Sequence, residues 1–171
     1  MGYEIAGALG VKLALPEREV IVMVGDGSYL MLNSEIATSV RLGARLIIVL
    51  LDNGGFGCIE RLQGATGNAS FNNLLPEVQG AGGGLDLVTH ARSLGAHASR
   101  VRDLAGLAGA LAAARKADRT AVLVIATDSA ASTTAGGHWW DVAVPEVSER
   151  AEVRAARGRY DSARRQRTDD S

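Results

Sequence analysis

The chain has a single cysteine, Cys58, among its 171 residues. One cysteine excludes an internal disulfide framework and fits a reducing compartment, so we expect a cytoplasmic protein. No apolar run approaches the ~20 residues that span a bilayer. The opening stretch MGYEIAGALG also lacks the basic start of a secretory signal. We therefore expect no membrane partner.

The chain also has little net charge, because 18 basic and 19 acidic residues give a formal net charge of −1. A nearly neutral chain has no overall field that would draw it to nucleic acid. The arginines between Arg150 and Arg167 alternate with acidic residues, which favours a solvated helix over a nucleic-acid patch. Nucleic acid is therefore not an expected partner.

Two common nucleotide-binding patterns are absent as well. The first turn that follows an apolar strand reads GDGSYL at residues 25–30, not G-x-G-x-x-G. No G-x-x-x-x-G-K-[ST] pattern occurs anywhere in the chain, and no internal repeat is visible. These absences disfavour an unrelated Rossmann-like nucleotide binder.

What the sequence does contain is a regular alternation of helical and apolar segments. We predict helices at 2–14, 33–42, 86–94 and 103–117 and strands at 19–24, 44–53, 96–101 and 120–126, with a Gly-rich stretch at 54–84. The strands are continuous apolar runs, which are typical of parallel strands covered on both faces. The pattern predicts an α/β fold: a doubly wound, open parallel sheet with helices on both faces.

The composition changes near residue 128. We expect one domain at 1–128 and a C-terminal extension at 129–171 that packs on the domain or on a neighbouring subunit. The extension begins as an extended segment that contains Trp139 and Trp140 and is interrupted by Pro145. It continues as a helix at 149–167 that frays toward its end.

Polar residues follow two of the predicted strands. Asp26 and Asn53 are 27 residues apart, yet a right-handed strand, helix and strand unit would place them at neighbouring strand ends. Mg²⁺ prefers oxygen ligands and is commonly held by one or two carboxylates together with phosphates. The spacing therefore favours a metal and phosphate site in which Gly25 and Gly27 admit the anion and Ser28 donates to it.

Simpler interpretations exist for the same residues. An Asp between glycines after a strand is usually a turn or a helix cap, and Asp52 competes with Asn53 as a ligand. Cys58 has no histidine near it in sequence, which favours a packing role. The histidines lack metal-binding spacing, so ordinary surface or core roles are expected for His90, His97 and His138.

The joint pattern GDGSYLMLNSEIATSVRLGARLIIVLLDNGGFG resembles the diphosphate-binding motif of thiamine diphosphate (ThDP) enzymes. A narrower likeness is carried by MGYEIAGALGVKLA, DNGGFGCIERLQ, GNASF and WWDVAVPEVSE. These stretches resemble the branch of the family that hydrolyses trihydroxycyclohexane-1,2-dione to 5-deoxyglucuronic acid in myo-inositol catabolism. The resemblance implies an enzyme that uses ThDP and Mg²⁺ to cleave a C–C bond.

The resemblance also implies roles for individual residues. Asp26 and Asn53 would bind Mg²⁺ by their side chains and Gly55 by its carbonyl. Gly27, Ser28, Phe56 and Gly57 would line the diphosphate, with Gly25 beside them. Met1 would support the bent cofactor, with Gly2 and Tyr3 next to the pyrimidine.

No catalytic residue is expected in this chain, because in the family the activating glutamate lies on a separate pyrimidine-binding domain. We expect that domain, or a subunit carrying it, to be a partner within a homo-oligomer that acts on a small molecule. The chain alone would then be one inactive part of the enzyme. Alternatives are another ThDP enzyme, such as an acetolactate synthase or a carboligase, and a non-catalytic cofactor-binding subunit.

Overall fold

A computed structural model of the chain describes residues 1–74, 84–129, 131 and 142–169. Its helices are α1 (Tyr3–Ala14), α2 (Asp26–Met31), α3 (Ser34–Arg41), α4 (Gly57–Ala65), α5 (Leu87–Ser93), α6 (Leu104–Lys116) and α7 (Ala151–Asp169). Its strands are β1 (Ile21–Gly25), β2 (Ile47–Asp52), β3 (His97–Val101) and β4 (Ala121–Ala126). His138, Trp139 and Trp140 lie outside the described residues.

The strands form a parallel sheet in the order β1-β2-β4-β3. Ile21 of β1 pairs with Ile47 of β2, and Gly25 pairs with Leu51. The central strands β2 and β4 are apolar runs because both of their faces are covered. This register brings the carboxyl ends of β1 and β2 side by side.

Helices cover both faces of the sheet. On one face, α1, α2, α3 and α5 bury Ile5, Tyr29, Ile36 and Ala91 against the sheet. On the other, α6 buries Ala114 against β2, β3 and β4. The predicted doubly wound α/β architecture is therefore confirmed.

Most predicted elements are present with shifted ends. Strand β1 begins at Ile21, two residues after its predicted start, and α7 runs two residues beyond its predicted end. Asp103 caps α6, since its carboxylate accepts a hydrogen bond of 2.7 Å from the Gly106 amide.

Two short helices were not predicted as separate elements. Helix α2 begins with DGS, whose residues favour turns, and it is only six residues long. Helix α4 lies inside the stretch at 54–84, which was predicted only as Gly-rich. Both helices follow strand ends and are held by tertiary packing, so local propensity is a poor guide to them.

The C-terminal part has its own small core, in which Val144 packs with Val153 and Ala156 of α7. The backbone of Gly67 lies against Glu152 at the start of α7, leaving no room for a side chain there. Among the helices described here, none has the length and apolar character to cross a membrane.

Candidate functional site

Asp26 lies at the centre of the polar residues at the carboxyl end of the sheet. It directly follows β1, and its side chain is only 1% exposed. Oδ1 accepts a hydrogen bond of 3.3 Å from the Asn53 backbone amide. Oδ2 is buried and has no hydrogen-bond partner among the described residues. A buried carboxylate oxygen without a partner is costly, so this atom marks a place for a ligand.

The surroundings of Asp26 act on its pKa in opposite directions. Burial raises the pKa of the carboxyl, and the nearby Asp52 raises it further. The backbone amides of Asn53 and Gly55 lower it. The net effect is a pKa above the ordinary value, so the charged form lacks sufficient stabilisation from the protein alone. A bound cation would supply that stabilisation.

The side-chain amide of Asn53 points at Asp26 and at Gly55. Its nearer terminal atom lies 2.9 Å from Asp26 Oδ1 and 3.0 Å from the Gly55 carbonyl oxygen. With nitrogen in that position, Nδ2 donates to both oxygens. With oxygen there, the Asn53 oxygen lies from each of the other two oxygens at the spacing of neighbouring ligands of an octahedral Mg²⁺, which is about 3 Å for Mg–O bonds of 2.0–2.1 Å. The donor set and its spacing therefore fit a magnesium ion.

Glycines make this convergence sterically possible. The loop after β2 turns through Gly54 and Gly55, whose φ angles of 81° and 136° favour glycine. A Cβ on Gly27 would lie 2.8 Å from the Gly55 carbonyl oxygen and 2.7 Å from Phe56 Cδ1. A Cβ on Gly57 would lie 3.0 Å from Asn53 Nδ2. The contact at Gly27 requires the absence of a side chain, and the space at Gly57 is tight.

Helix α4 begins directly beside the cluster. Its first residue is Gly57, and the preceding Phe56 provides no side-chain cap to the amides of the first turn. The Phe56 amide itself donates to the Asn73 carbonyl at 2.8 Å. Free amides next to a cation site are suited to phosphate oxygens.

The competing ligand Asp52 faces a different group. Its Oδ2 lies 3.7 Å from Arg100 Nη1 on β3. Asn53, one residue later, is the residue whose side chain reaches Asp26. The structure thus brings the amide, not the second carboxylate, to the cluster.

The remaining candidate residues lie at the start of α1 and at the end of β1. Met1 and Tyr3 are 63% and 76% exposed, while Gly2 is buried against Met31. Gly25 precedes α2 and leaves open space around its Cα. Gly25 is bonded to Asp26 in the chain, and Gly2 reaches the same helix through its hydrogen bond to Ser28.

Ser28 makes contacts that the sequence did not suggest. Its hydroxyl accepts a hydrogen bond of 2.7 Å from the Gly2 amide and lies 2.9 Å from each carboxylate oxygen of Glu4. Ser28 and Glu4 are 24 residues apart in the chain, so no local sequence pattern indicates their contact. A hydrogen bond from the backbone amide of Glu4 itself lowers the pKa of the Glu4 carboxyl, and the hydrogen bond from the Ser28 hydroxyl lowers it further.

Other residues considered from the sequence have ordinary surroundings. Cys58 is exposed on α4. His97 forms a surface ion pair of 2.7 Å with Asp118. Nδ1 of His90 lies 2.8 Å from the buried Tyr29 hydroxyl, whose pKa is raised to about 12 by burial. No cluster of three His, Cys, Asp or Glu side chains that could hold a metal occurs in the described ranges.

Comparison with known proteins identifies the family. Residues 1–125 match the family described as thiamine pyrophosphate enzyme, C-terminal TPP binding domain. The chain belongs to this family. Thiamine pyrophosphate is another name for ThDP, so the sequence-based assignment to ThDP enzymes and their cofactor is confirmed at the level of the family.

Among its relatives in this ThDP enzyme family is a 3D-(3,5/4)-trihydroxycyclohexane-1,2-dione hydrolase of Geobacillus thermodenitrificans. It is 42% identical over 163 residues, which cover 91% of this chain and 26% of the relative. A Bacillus cereus protein of the same name is 40% identical, with 91% and 25% covered. The chain therefore spans about a quarter of the length of these curated relatives.

The fold also matches a solved ThDP enzyme. The thiamine diphosphate-dependent 4-hydroxybenzoylformate decarboxylase of Rhodococcus jostii superposes with a TM-score of 0.67 at 24% sequence identity. The match covers 75% of this chain and 23% of that structure. At this identity the likeness supports the fold, and it agrees with the parallel sheet described above.

Proposed function

We propose that this chain is the diphosphate- and Mg²⁺-binding module of a ThDP-dependent enzyme that cleaves a C–C bond of a cyclic 1,2-dione. One observation carries the proposal. Asp26 has a buried, unpartnered Oδ2, while its Oδ1 and the Gly55 carbonyl oxygen lie 2.9 Å and 3.0 Å from the Asn53 side-chain amide, at the spacing of neighbouring magnesium ligands.

In this proposal different residues of the site bind different parts of the cofactor. Asp26 and Asn53 hold the ion by side-chain oxygens, and Gly55 holds it by its carbonyl. The backbone of Gly27 and the amides at the start of α4 receive the diphosphate. ThDP, when bound, supplies a carbanion and an electron sink for cleavage beside a carbonyl.

The start of α1 would flank the other end of the cofactor. Met1 and Tyr3 have exposed side chains that are able to contact a ligand, and Gly2 anchors the segment on α2. We assign Met1 to the support of the bent cofactor and Gly2 and Tyr3 to the pyrimidine side.

The substrate assignment rests on the relatives. Both hydrolases carry the dione in their names and align over 91% of this chain. We propose trihydroxycyclohexane-1,2-dione as the substrate and 5-deoxyglucuronic acid as the product, reached by cleavage of one ring C–C bond with addition of one water molecule. The alternative function is that of another ThDP enzyme, such as an acetolactate synthase or a carboligase.

We further propose that turnover needs polypeptide beyond these 171 residues. The relatives are about four times as long as the part that this chain matches. The additional partner would be a pyrimidine-binding domain or subunit, in a homo-oligomeric enzyme. Purified chain with ThDP, Mg²⁺ and the dione should show no turnover, whereas clear activity without an added partner would reject this part of the proposal.

Calorimetry tests the cofactor assignment directly. ThDP is titrated into the chain with Mg²⁺, with a chelator instead of Mg²⁺, and in competition with NAD. We expect binding that depends on the metal and that NAD does not reduce. Binding that is independent of Mg²⁺, or a preference for NAD, would reject the ThDP site, while binding without turnover in any assembly would indicate a non-catalytic cofactor-binding subunit.

A further inference from the structure

The Ser28 hydroxyl connects two segments that lie at opposite ends of the proposed cofactor site. It accepts from the Gly2 amide at 2.7 Å and donates to Glu4, whose two carboxylate oxygens are each 2.9 Å away. A hydroxyl has one proton to donate. While Glu4 receives that proton, the Ser28 side chain has none for a phosphate oxygen.

Glu4 is suited to hold this hydrogen bond. It lies in the first turn of α1, and the pKa of its carboxyl is lowered by its own backbone amide and by Ser28. The carboxylate is therefore charged near neutral pH. A hydrogen bond to a charged acceptor is stronger than one between neutral groups.

Gly2 fixes the same junction from the other side. It has a φ angle of 83° and is buried, and a Cβ on it would lie 3.1 Å from Met31 Cβ at the end of α2. The Gly2 amide is the donor to Ser28. The start of α1 is thus attached to α2 by a close backbone approach and by a chain of two hydrogen bonds.

We propose that Glu4 is a positioning residue that fixes the Met1–Tyr3 segment against α2 through the Ser28 hydroxyl. The inference rests on the proposed function, in which Met1–Tyr3 flanks the pyrimidine and α2 flanks the diphosphate. Glu4 then sets the separation between the two ends of the site. Ser28 serves the diphosphate through its backbone and not through its hydroxyl.

The test compares two ligands, ThDP and inorganic pyrophosphate, each with Mg²⁺, by calorimetry on the full chain. Glu4→Ala should weaken ThDP binding roughly tenfold, because the pyrimidine end loses its position, and should leave pyrophosphate binding within about twofold. Glu4→Gln retains an acceptor and should restore most of the ThDP affinity. Glu35→Ala, a glutamate in the first turn of α3, is the matched control and should change neither affinity.

Ser28→Ala separates the two roles of the hydroxyl. If the hydroxyl serves Glu4, this variant should behave like Glu4→Ala and lose affinity for ThDP alone. Equal weakening of ThDP and pyrophosphate would show that the hydroxyl binds the diphosphate, and the proposal would be wrong. Unchanged ThDP binding in Glu4→Ala would also overturn it.

A second readout needs no cofactor and keeps the inference separate from the proposed function. In the ligand-free chain, NMR should show that the Gly2 amide proton is protected from solvent exchange. Glu4→Ala and Ser28→Ala should lose that protection, whereas Glu4→Gln and Glu35→Ala should keep it. If ThDP fails to bind the unaltered chain, the proposed function fails, but unchanged protection in Glu4→Ala is what would refute the connection itself.

Discussion

The two ends of the sheet treat buried polar groups in opposite ways. At the amino end, Thr120 and Ser39 are both 0% exposed, and their hydroxyls lie 2.8 Å apart. The Thr120 hydroxyl accepts from the Leu46 amide at 3.1 Å, and Ser39 donates to the Ile36 carbonyl at 2.7 Å. At the carboxyl end, Asp26 is equally buried, yet its Oδ2 has no partner among the described residues.

The amino-end cluster thus has a structural role, whereas the carboxyl-end cluster belongs to the proposed ligand site. The amino-end cluster satisfies its polar atoms with protein groups alone, and it joins α3 to the starts of β2 and β4. The carboxyl-end cluster leaves a charged oxygen unpaired, which a protein tolerates chiefly where a ligand completes the site. Substitutions at one end of the sheet therefore test whether the other end is affected.

The largest effect is expected from Asp26→Asn. The variant removes the carboxylate from the proposed metal site, so Mg²⁺-dependent ThDP binding should fall at least roughly 100-fold, because loss of an outer partner of a metal ligand alone costs roughly 10- to 100-fold. Without Mg²⁺ the variant should be at least as stable to denaturant as the unaltered chain. ThDP affinity that survives this substitution would argue against a metal role for Asp26.

The pH dependence of the same carboxylate gives a further check. Burial raises the pKa of Asp26 above its ordinary value of 3.8. Without metal, its stabilising contribution is complete below 3.8 and is lost as the pH rises through the raised pKa. Between pH 3.8 and the raised pKa, the free energy of unfolding of the metal-free chain should therefore fall relative to that of Asp26→Asn. Mg²⁺ binding should strengthen over the same pH range. A flat difference between the two chains would contradict the raised pKa.

Gly27→Ala is expected to have the next largest effect. The new Cβ would meet the Gly55 carbonyl oxygen at 2.8 Å and Phe56 at 2.7 Å, so the loop after β2 must move. We expect a loss of about 2 kcal/mol in the free energy of unfolding and of roughly 30-fold or more in ThDP affinity. Thermal unfolding and calorimetry measure the two effects. Unchanged values for both would mean that the loop does not need this close contact.

Thr120→Val tests the opposite end. It removes the hydroxyl that the Leu46 amide and Ser39 use, and we expect a loss of about 1–3 kcal/mol in the free energy of unfolding. ThDP affinity of the folded chain should stay unchanged. Thr120→Ser keeps the hydroxyl and is the control. A matching loss of ThDP affinity would show that the two ends are coupled.

The smallest effect is expected from Gly10→Ala on α1. This glycine is helical and exposed, and an added Cβ would meet nothing within 4 Å. The substitution should stabilise the chain by about 0.5–1 kcal/mol and leave ThDP affinity unchanged. It also serves as the matched control for Gly27→Ala, because the same chemical change is made where no loop approaches. Destabilisation here would indicate packing that the fold does not suggest.

The proximity of Asp26 and Asn53 could be predicted, because each follows a parallel strand and the carboxyl ends of parallel strands lie at the same edge of the sheet. The apolar runs predicted the strands β1 and β2. The crossover between them predicted that these strands are parallel neighbours, with their carboxyl ends side by side. Asp26 and Asn53 follow directly from that geometry. The position of β4 between β2 and β3 could not be predicted in the same way, because strand order depends on long-range packing that no local pattern encodes.

Other features escaped the sequence for specific physical reasons. The ion pair of 3.7 Å between Asp52 and Arg100 joins residues of two strands that are far apart in the chain. The helix α2 is stabilised by the burial of Tyr29 and not by its own propensity. The contact between Glu4 and Ser28 joins two helices whose relative placement emerges only in the folded chain.

Crystals grown with ThDP and Mn²⁺ in place of Mg²⁺ would test the central claim most directly, since manganese is located by its anomalous scattering. We expect one manganese ion bound to an Asp26 carboxylate oxygen, to the Asn53 side-chain oxygen and to the Gly55 carbonyl oxygen, with the diphosphate completing its coordination. A bound cofactor whose metal lies away from these three residues, or that binds with no metal, would contradict the account.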